Sequence, residues 1–267
     1  MLDCQKFLRR STQLSKLLVK CGTSALMHHG RLSTRCFESV AHQIKQIRAS
    51  HSVVIVTSGA IQAGREYAAE RCSGAMDFSP ADLAGMGNSI YGFWDNAMLR
   101  AGIPTATMLI TSADLRSKVR MASIKARLDS YSANGVVTLV NANDTTWPIE
   151  SDSMTKGLSE NDNLASQLHR HWPFDLVYIA TETGGVHDRE PGPMSKVIPS
   201  LSKPEFLRLQ RHGLVTATRS ICGSGGMIPK IKAGLSCCGP STRVAIGPLD
   251  GIQDFVWGNP AGTLLTS

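Results

Sequence analysis

Short runs of Val, Ile and Leu alternate along this chain with longer stretches in which apolar residues return every three or four positions. The runs KLLVK (16–20) and SVVIVTS (52–58) are apolar on successive residues, as strands buried on both faces are. Each is followed closely by a glycine, a turn signal. Between them, Ser33 to Ser50 carries Phe37, Val40, Ala41, Ile44 and Ile47 at helical spacing. From Asp82 the same spacing continues through Leu83, Met86, Ile90, Phe93, Trp94, Ala97 and Met98 and predicts a helix. TATMLI (105–110), GVVTLVN (135–141), LVYIAT (176–181) and RVAIG (243–247) predict further strands. Repeated strand–helix–strand units predict an α/β fold, a mainly parallel sheet with helices on both faces. The stretch from His187 to Gly213 holds Pro191, Pro193, Pro199 and Pro204 among charged residues, and reads as surface loops around one short helix. There is no internal repeat and no linker, so one domain with two lobes sharing one sheet is expected.

Composition narrows the class. A chain of 267 residues, 42% hydrophobic and 18% charged, buries a sizeable core. No apolar stretch approaches the roughly 20 residues that span a bilayer, so no membrane partner is expected. The net charge is +7, yet residues 1–50 alone carry nine Lys and Arg against Asp3 and Glu38. The remaining 217 residues carry nineteen charges of each sign. A nucleic-acid binder spreads basic residues along a groove or helix face, so no nucleic-acid partner is expected either. Seven cysteines form an odd set without a CxxC pair, which predicts reduced thiols and a cytoplasmic protein. Residues 1–16, basic and rich in hydroxyls, read as an N-terminal extension; a mitochondrial presequence is the alternative, against which Asp3 and the shortness count. His28-His29 and His169-x-His171 lack partners at metal-ligand spacing, so no metal ligands are expected from side chains.

Candidate chemistry sits just after the strands, where open α/β sheets bind ligands. The turns there are glycine-rich and polar: Lys20-Cys21-Gly22-Thr23-Ser24, Thr57-Ser58-Gly59-Ala60, Asn141-Ala142-Asn143-Asp144 and Thr181-Glu182-Thr183-Gly184-Gly185. A fifth segment, CGSGGMIPKIKAG (222–234), puts glycines ahead of a lysine without the spacing of a P-loop. Pro229 there suits the first turn of a helix ending before Gly239-Pro240, and a helix N-terminus offers free N–H groups to an anion.

Taken in order, LLVKCGTSAL, VVIVTSGAIQAGRE, VNANDT, ENDNLAS, TETGGVHDREP and GSGGMIPKIKAG resemble the motifs of glutamate 5-kinases of the amino acid kinase family. The resemblance runs from Leu17 to the terminal GTLL at 262–265 and delimits a kinase domain at 17–267. It implies a three-layer αβα sandwich and transfer of the ATP γ-phosphoryl group, with Mg²⁺ carried by the phosphates, to the side-chain carboxylate of L-glutamate. The product, L-glutamyl 5-phosphate, begins proline biosynthesis. The family also implies a homo-oligomer, proline as feedback inhibitor and glutamyl phosphate reductase as the downstream enzyme. The small PUA domain that many bacterial relatives carry beyond the kinase domain is not expected here.

The residue types suit that reaction. A glutamate carboxylate, with a reference pKa of about 4.3, is already ionised and needs no general base. The task is to bring one anion up to another and stabilise the transferring group, which suits two lysines. By resemblance Lys20, Asp162 and Lys230 are the catalytic set, with Asp162 orienting both lysines. Ser58, the N–H groups of Gly59 and Ala60, Asp144 and Asn161 would hold glutamate. Lys20, Gly22, Thr181, Glu182, Gly225, Gly226, Met227 and Lys230 would hold the nucleotide, with adenine against the Gly184-Gly185 turn. Blander readings stand beside these: Asn161 or Asp162 as N-cap of a helix beginning near Leu164, and Asp144 as an Asx-turn residue.

The sequence departs from the family pattern at Glu182 and Glu190, where aspartates are usual. Ala142 stands where a glutamate is common, and Ile228-Pro229 replaces a small residue and a threonine. Lys156 is off by one residue in its spacing to Asn161. Two alternatives follow: a kinase for acetylglutamate or aspartate, against which Asp144 and Asn161 count, and a non-catalytic glutamate or proline sensor of the same fold.

Overall fold

The computed structural model describes residues 14–73, 77–146, 160–211 and 226–267, with Glu160 described by its backbone alone. Residues 1–13 of the expected extension, Lys156, and the glycine loop up to and including Gly225 lie outside the described residues. In chain order the strands are β1 (Ser15–Cys21), the short hairpin β2 (Met27–His28) and β3 (Arg31–Leu32), β4 (His51–Thr57), β5 (Thr105–Ile110), β6 (Val137–Ala142), β7 (Leu176–Ala180), β8 (Ser200–Ser202), β9 (Arg243–Gly247) and β10 (Thr263–Thr266). The α-helices are α1 (Thr34–Ile47), α2 (Ala60–Arg71), α3 (Pro80–Met86), α4 (Ser89–Arg100), α5 (Ser112–Arg116), α6 (Lys118–Ala133), α7 (Glu160–His171), α8 (Lys203–Arg211), α9 (Met227–Cys237) and α10 (Ile252–Val256).

Among the described residues, eight strands form one sheet in the order β5-β6-β4-β1-β7-β9-β10-β8, in which only β9 and β10 pair antiparallel. Because side chains alternate along a strand, each strand feeds two cores. Leu17, Val19 and Cys21 of β1 join Phe37 and Ile44 of α1, Trp94 of α4 and Phe255 of α10 on one face. Leu18, with Val54 and Val56 of β4, joins Leu164 and Leu168 of α7, Leu128 of α6 and Ile231 of α9 on the other. This is the expected three-layer αβα sandwich with a mainly parallel sheet. Buried strands on both faces explain why the apolar runs of β1, β4 and β7 showed no alternation. Among the described residues, no helix is long and apolar enough to cross a membrane.

The helical spacing from Asp82 onward resolves into two helices rather than one, with Gly87 between α3 and α4. A Cβ on Gly87 would lie 1.8 Å from the carbonyl oxygen of Ala60, and one on Gly64 would lie 1.8 Å from that of Leu83. The two glycines let α2 and the α3–α4 corner meet backbone to backbone, which turns the chain over the end of the sheet. Gly64→Ala would force these backbones apart and is expected to cost about 3 kcal/mol, the upper end for overpacking. Thermal denaturation measures it; an unchanged melting temperature would show that the two helices are not packed this closely.

Candidate active site

β1 delivers the central charge. Lys20 has the same parity as Leu18, so it faces α7 and α9, and the register sets it between Val56 of β4 and Ile179 of β7. It is only 3% exposed. A buried ammonium is tolerable only with a partner, and Asp162, fully buried in the first turn of α7, supplies one at 2.6 Å from Nζ. The capping reading of Asn161 and Asp162 therefore fails. α7 begins at Glu160, earlier than Leu164, and both side chains lie inside its first turn and point to the sheet.

Lys230, on α9, reaches the same place. Its Nζ donates to the carbonyl of Gly226 at 3.3 Å, and the side chain is buried. Burial is the main force that pushes its pKa down, from 10.5 to about 8; the positive charge of Lys20 adds to this and Asp162 partly opposes it. The convergence is visible at Gly22, just past β1. A Cβ built there would lie 3.4 Å from Lys20 Nζ and 3.9 Å from Lys230 Cε. Backbone alone therefore passes beside two ammonium groups, a geometry that leaves room for an anion.

α9 opens at Gly226, whose extended backbone caps the helix with no side-chain bond. Its first N–H groups face the lysines' end of the sheet, where a helix N-terminus carries partial positive charge. Pro229 sits in that first turn and removes one donor. Met227 is the first helical residue. The expected roles of Gly226, Met227 and Lys230 thus fall on one short segment.

Next to it, β4 ends at Thr57, and Ser58 exchanges a hydroxyl hydrogen bond of 2.9 Å with Thr23. Gly59 takes a left-handed backbone (φ 110°) that only glycine adopts without strain, and it leads into α2 at Ala60 without a side-chain cap. One strand further, Asn161 is not directed wholly to solvent: its Oδ1 accepts from the Ala142 N–H at 3.2 Å, which ties α7 to the end of β6. Asp144 lies in the tight turn closed by the Thr146 N–H donating to Asn143 carbonyl at 3.2 Å. On the other side of β1, Thr181 is buried, its N–H donates to Gly247 carbonyl at 2.8 Å, and its hydroxyl lies 3.3 Å from that of Thr183. Glu182 is exposed. Gly184 and Gly185 both have positive φ, and a Cβ on Gly185 would strike Val197 at 2.6 Å.

The structure thus brings Lys20, Asp162, Lys230, Gly22 and Gly226 together, with Met227 next in the chain, Ser58–Ala60 and Asp144–Asn161 at neighbouring strand ends and Thr181–Glu182 just past β7. Sequence reasoning missed Tyr91 of α4, whose hydroxyl accepts from Asn141 Nδ2 at 3.1 Å. Its only signal was a polar ring next to Ile90 in an otherwise apolar stripe. Among the described residues, no three His, Cys, Asp or Glu side chains cluster to hold a metal.

A profile of the amino acid kinase family matches residues 15–247. The chain is 30% identical to the glutamate 5-kinase of Yersinia enterocolitica, a match covering 92% of this chain and 67% of that protein. It has the same identity and coverages with the glutamate 5-kinase of Photorhabdus laumondii. Among solved structures, carbamate kinase from Giardia lamblia bound to AMP-PNP superimposes with a TM-score of 0.69 at 16% identity, over 95% of this chain and 99% of that one. Isopentenyl phosphate kinase superimposes with a TM-score of 0.64 at 18% identity, over 94% and 100%. These structural likenesses concern the fold.

Proposed function

The chain belongs to the amino acid kinase family, and from that membership we propose that it phosphorylates the side-chain carboxylate of L-glutamate with ATP, forming L-glutamyl 5-phosphate. The observation that carries the phosphotransfer reading is the pair of buried lysines beside Gly22, one of them held by Asp162. Glutamate as acceptor is supported by the two named relatives and by Asp144, a carboxylate suited to a free α-ammonium, at the end of β6.

In this reading the lysines do the electrostatic work. The triphosphate lies along the backbone at Gly22 and the N-terminus of α9. Lys20 and Lys230 lower the repulsion between the incoming carboxylate and the phosphates, then stabilise charge on the transferring group. Asp162 pairs with Lys20 and fixes its side chain in place. Mg²⁺ would travel with the phosphates and supply charge neutralisation there. Ser58 with the N–H groups of Gly59 and Ala60 would orient the acceptor carboxylate, and Asn161 would offer its Nδ2 to the amino-acid end. Thr181 and Glu182 would border the nucleotide. The acyl phosphate formed is reactive, so an enzyme that reduces it is the expected consumer, and proline, which resembles glutamate in its carboxylate and nitrogen, is the expected inhibitor.

The test is acceptor-dependent ADP release from ATP and Mg²⁺. L-Glutamate is expected to support turnover, while N-acetylglutamate, which lacks an ammonium for Asp144, and aspartate, one methylene shorter, support little. Turnover with N-acetylglutamate or aspartate but not glutamate would replace this reading with another amino acid kinase. Binding of glutamate without turnover on any acceptor would replace it with a sensor.

A further inference from the structure

The end of β6 meets a polar group that nothing in the family reading calls for. Tyr91 lies on α4, and its ring packs against the core shared by α1 and α4. Its hydroxyl reaches the end of β6, where it accepts a hydrogen bond from Asn141 Nδ2 at 3.1 Å. A phenol that accepts there still has its own proton to donate elsewhere. Asn141 is 1% exposed, and its Oδ1 has no partner among the described residues. Among the described residues the amide is held at its Nδ2 end, by Tyr91. Burial holds the Tyr91 phenol above its ordinary range, the bond from Asn141 pulls it partly back, and the negative charge of Asp144 raises it again. The hydroxyl therefore stays protonated at any working pH, and it lies within electrostatic reach of Asp144.

The helices fix this arrangement. Gly85 of α3 comes so close to the 143–146 turn that a Cβ on it would lie 3.2 Å from Thr145 Cγ2. The α3–α4 corner therefore closes over the end of β6, with Tyr91 on the strand side and Asp144 in the turn. One donor and one carboxylate at the same strand end match the two charges of an amino-acid zwitterion. A carboxylate accepts the phenol's proton, and an ammonium pairs with Asp144.

We propose that Tyr91 is a specificity-determining residue of the acceptor pocket, its hydroxyl donating to the α-carboxylate of a free amino acid while Asp144 takes the α-ammonium. This rests on the kinase reading above for its substrate, and on the Tyr91–Asn141–Asp144 geometry for its site. The ring keeps its packing in Tyr91→Phe, so that variant removes the donor alone.

The test compares wild type and Tyr91→Phe with two ligands, L-glutamate as substrate and 4-aminobutyrate as competitive inhibitor. The latter keeps the terminal carboxylate and the ammonium but has no α-carboxylate. Tyr91→Phe is expected to raise KM for glutamate roughly tenfold, as loss of one hydrogen bond to a charged group does. The kcat, the KM for ATP and the inhibition constant of 4-aminobutyrate are expected to stay within about twofold. An unchanged KM for glutamate, or equal losses with both ligands, would overturn the inference; a purely structural role for Tyr91 predicts the equal losses. If wild type does not turn glutamate over, the kinase reading fails, and the inference on Tyr91 is decided by thermal-shift titration of the same two ligands. Wild type should then prefer glutamate and Tyr91→Phe should lose that preference, whereas the same response in both proteins would overturn it.

Discussion

Replacing Lys230 by methionine is expected to lower turnover by at least about a hundredfold, the usual cost of removing one positioned donor at a developing charge, and at the same time to raise the melting temperature. The second effect follows from the buried ammonium. Its pKa lies at about 8 in the folded protein and at 10.5 in an exposed lysine. Below pH 8 both states are protonated and burial of the charge costs the folded state its full penalty. Between pH 8 and 10.5 the unfolded state binds more protons than the folded one, so stability rises with pH and the penalty fades. A penalty on the order of 2 kcal/mol at pH 7 corresponds to a gain of roughly 5 °C for the variant in a chain of this size. Melts at pH 7 and pH 10 check it: the advantage of Lys230→Met should shrink at the higher pH. In the wild type, kcat/KM for ATP, which reports on the free enzyme, is expected to fall above about pH 8. A variant with normal turnover would put the phosphate site elsewhere, and a variant that melts earlier would show that Lys230 is a stabilising group.

The opposite response is expected at Asp162. In Asp162→Ala the buried Lys20 loses its partner at 2.6 Å, and breaking a buried pair from one side costs about 3–5 kcal/mol. Lys230 also loses the carboxylate that moderates the repulsion from Lys20. Turnover should fall with stability. The double variant Lys20→Met/Asp162→Leu separates the two effects, because well-packed apolar residues often replace a buried pair without loss of stability. It is expected to recover most of the stability and none of the activity. Urea denaturation of the three proteins checks the first point and ADP release the second; a loss under 1 kcal/mol in Asp162→Ala would show that Lys20 is solvated rather than buried.

Much of this was legible in the sequence for a physical reason. Strands β1, β4 and β7 are buried on both faces, so composition alone marked them, and Lys20 stood out as the one charge ending an apolar run. The structure then puts Lys20 on the side of Leu18, which faces α7 and α9. What escaped was set by contacts distant in sequence. Gly87 splits the helical run after Asp82 because of Ala60, 27 positions away. Strands β8 and β10 are three and four residues long, too short for periodicity, and are defined by pairing with each other. Asn161 and Asp162 resembled capping residues because short polar side chains do cap helices; only their bonds to Ala142 and Lys20 show that they point inward. Tyr91 showed only as a polar ring in an apolar stripe, since its partner Asn141 lies fifty residues on.

The proposed acceptor is the side-chain carboxylate of free glutamate, and the proposed product is an acyl phosphate. Hydroxylamine trapping measures it most directly: wild-type protein with ATP, Mg²⁺, L-glutamate and hydroxylamine should yield γ-glutamyl hydroxamate, and Lys230→Met should yield almost none. No hydroxamate from glutamate, or hydroxamate only from N-acetylglutamate, would contradict it.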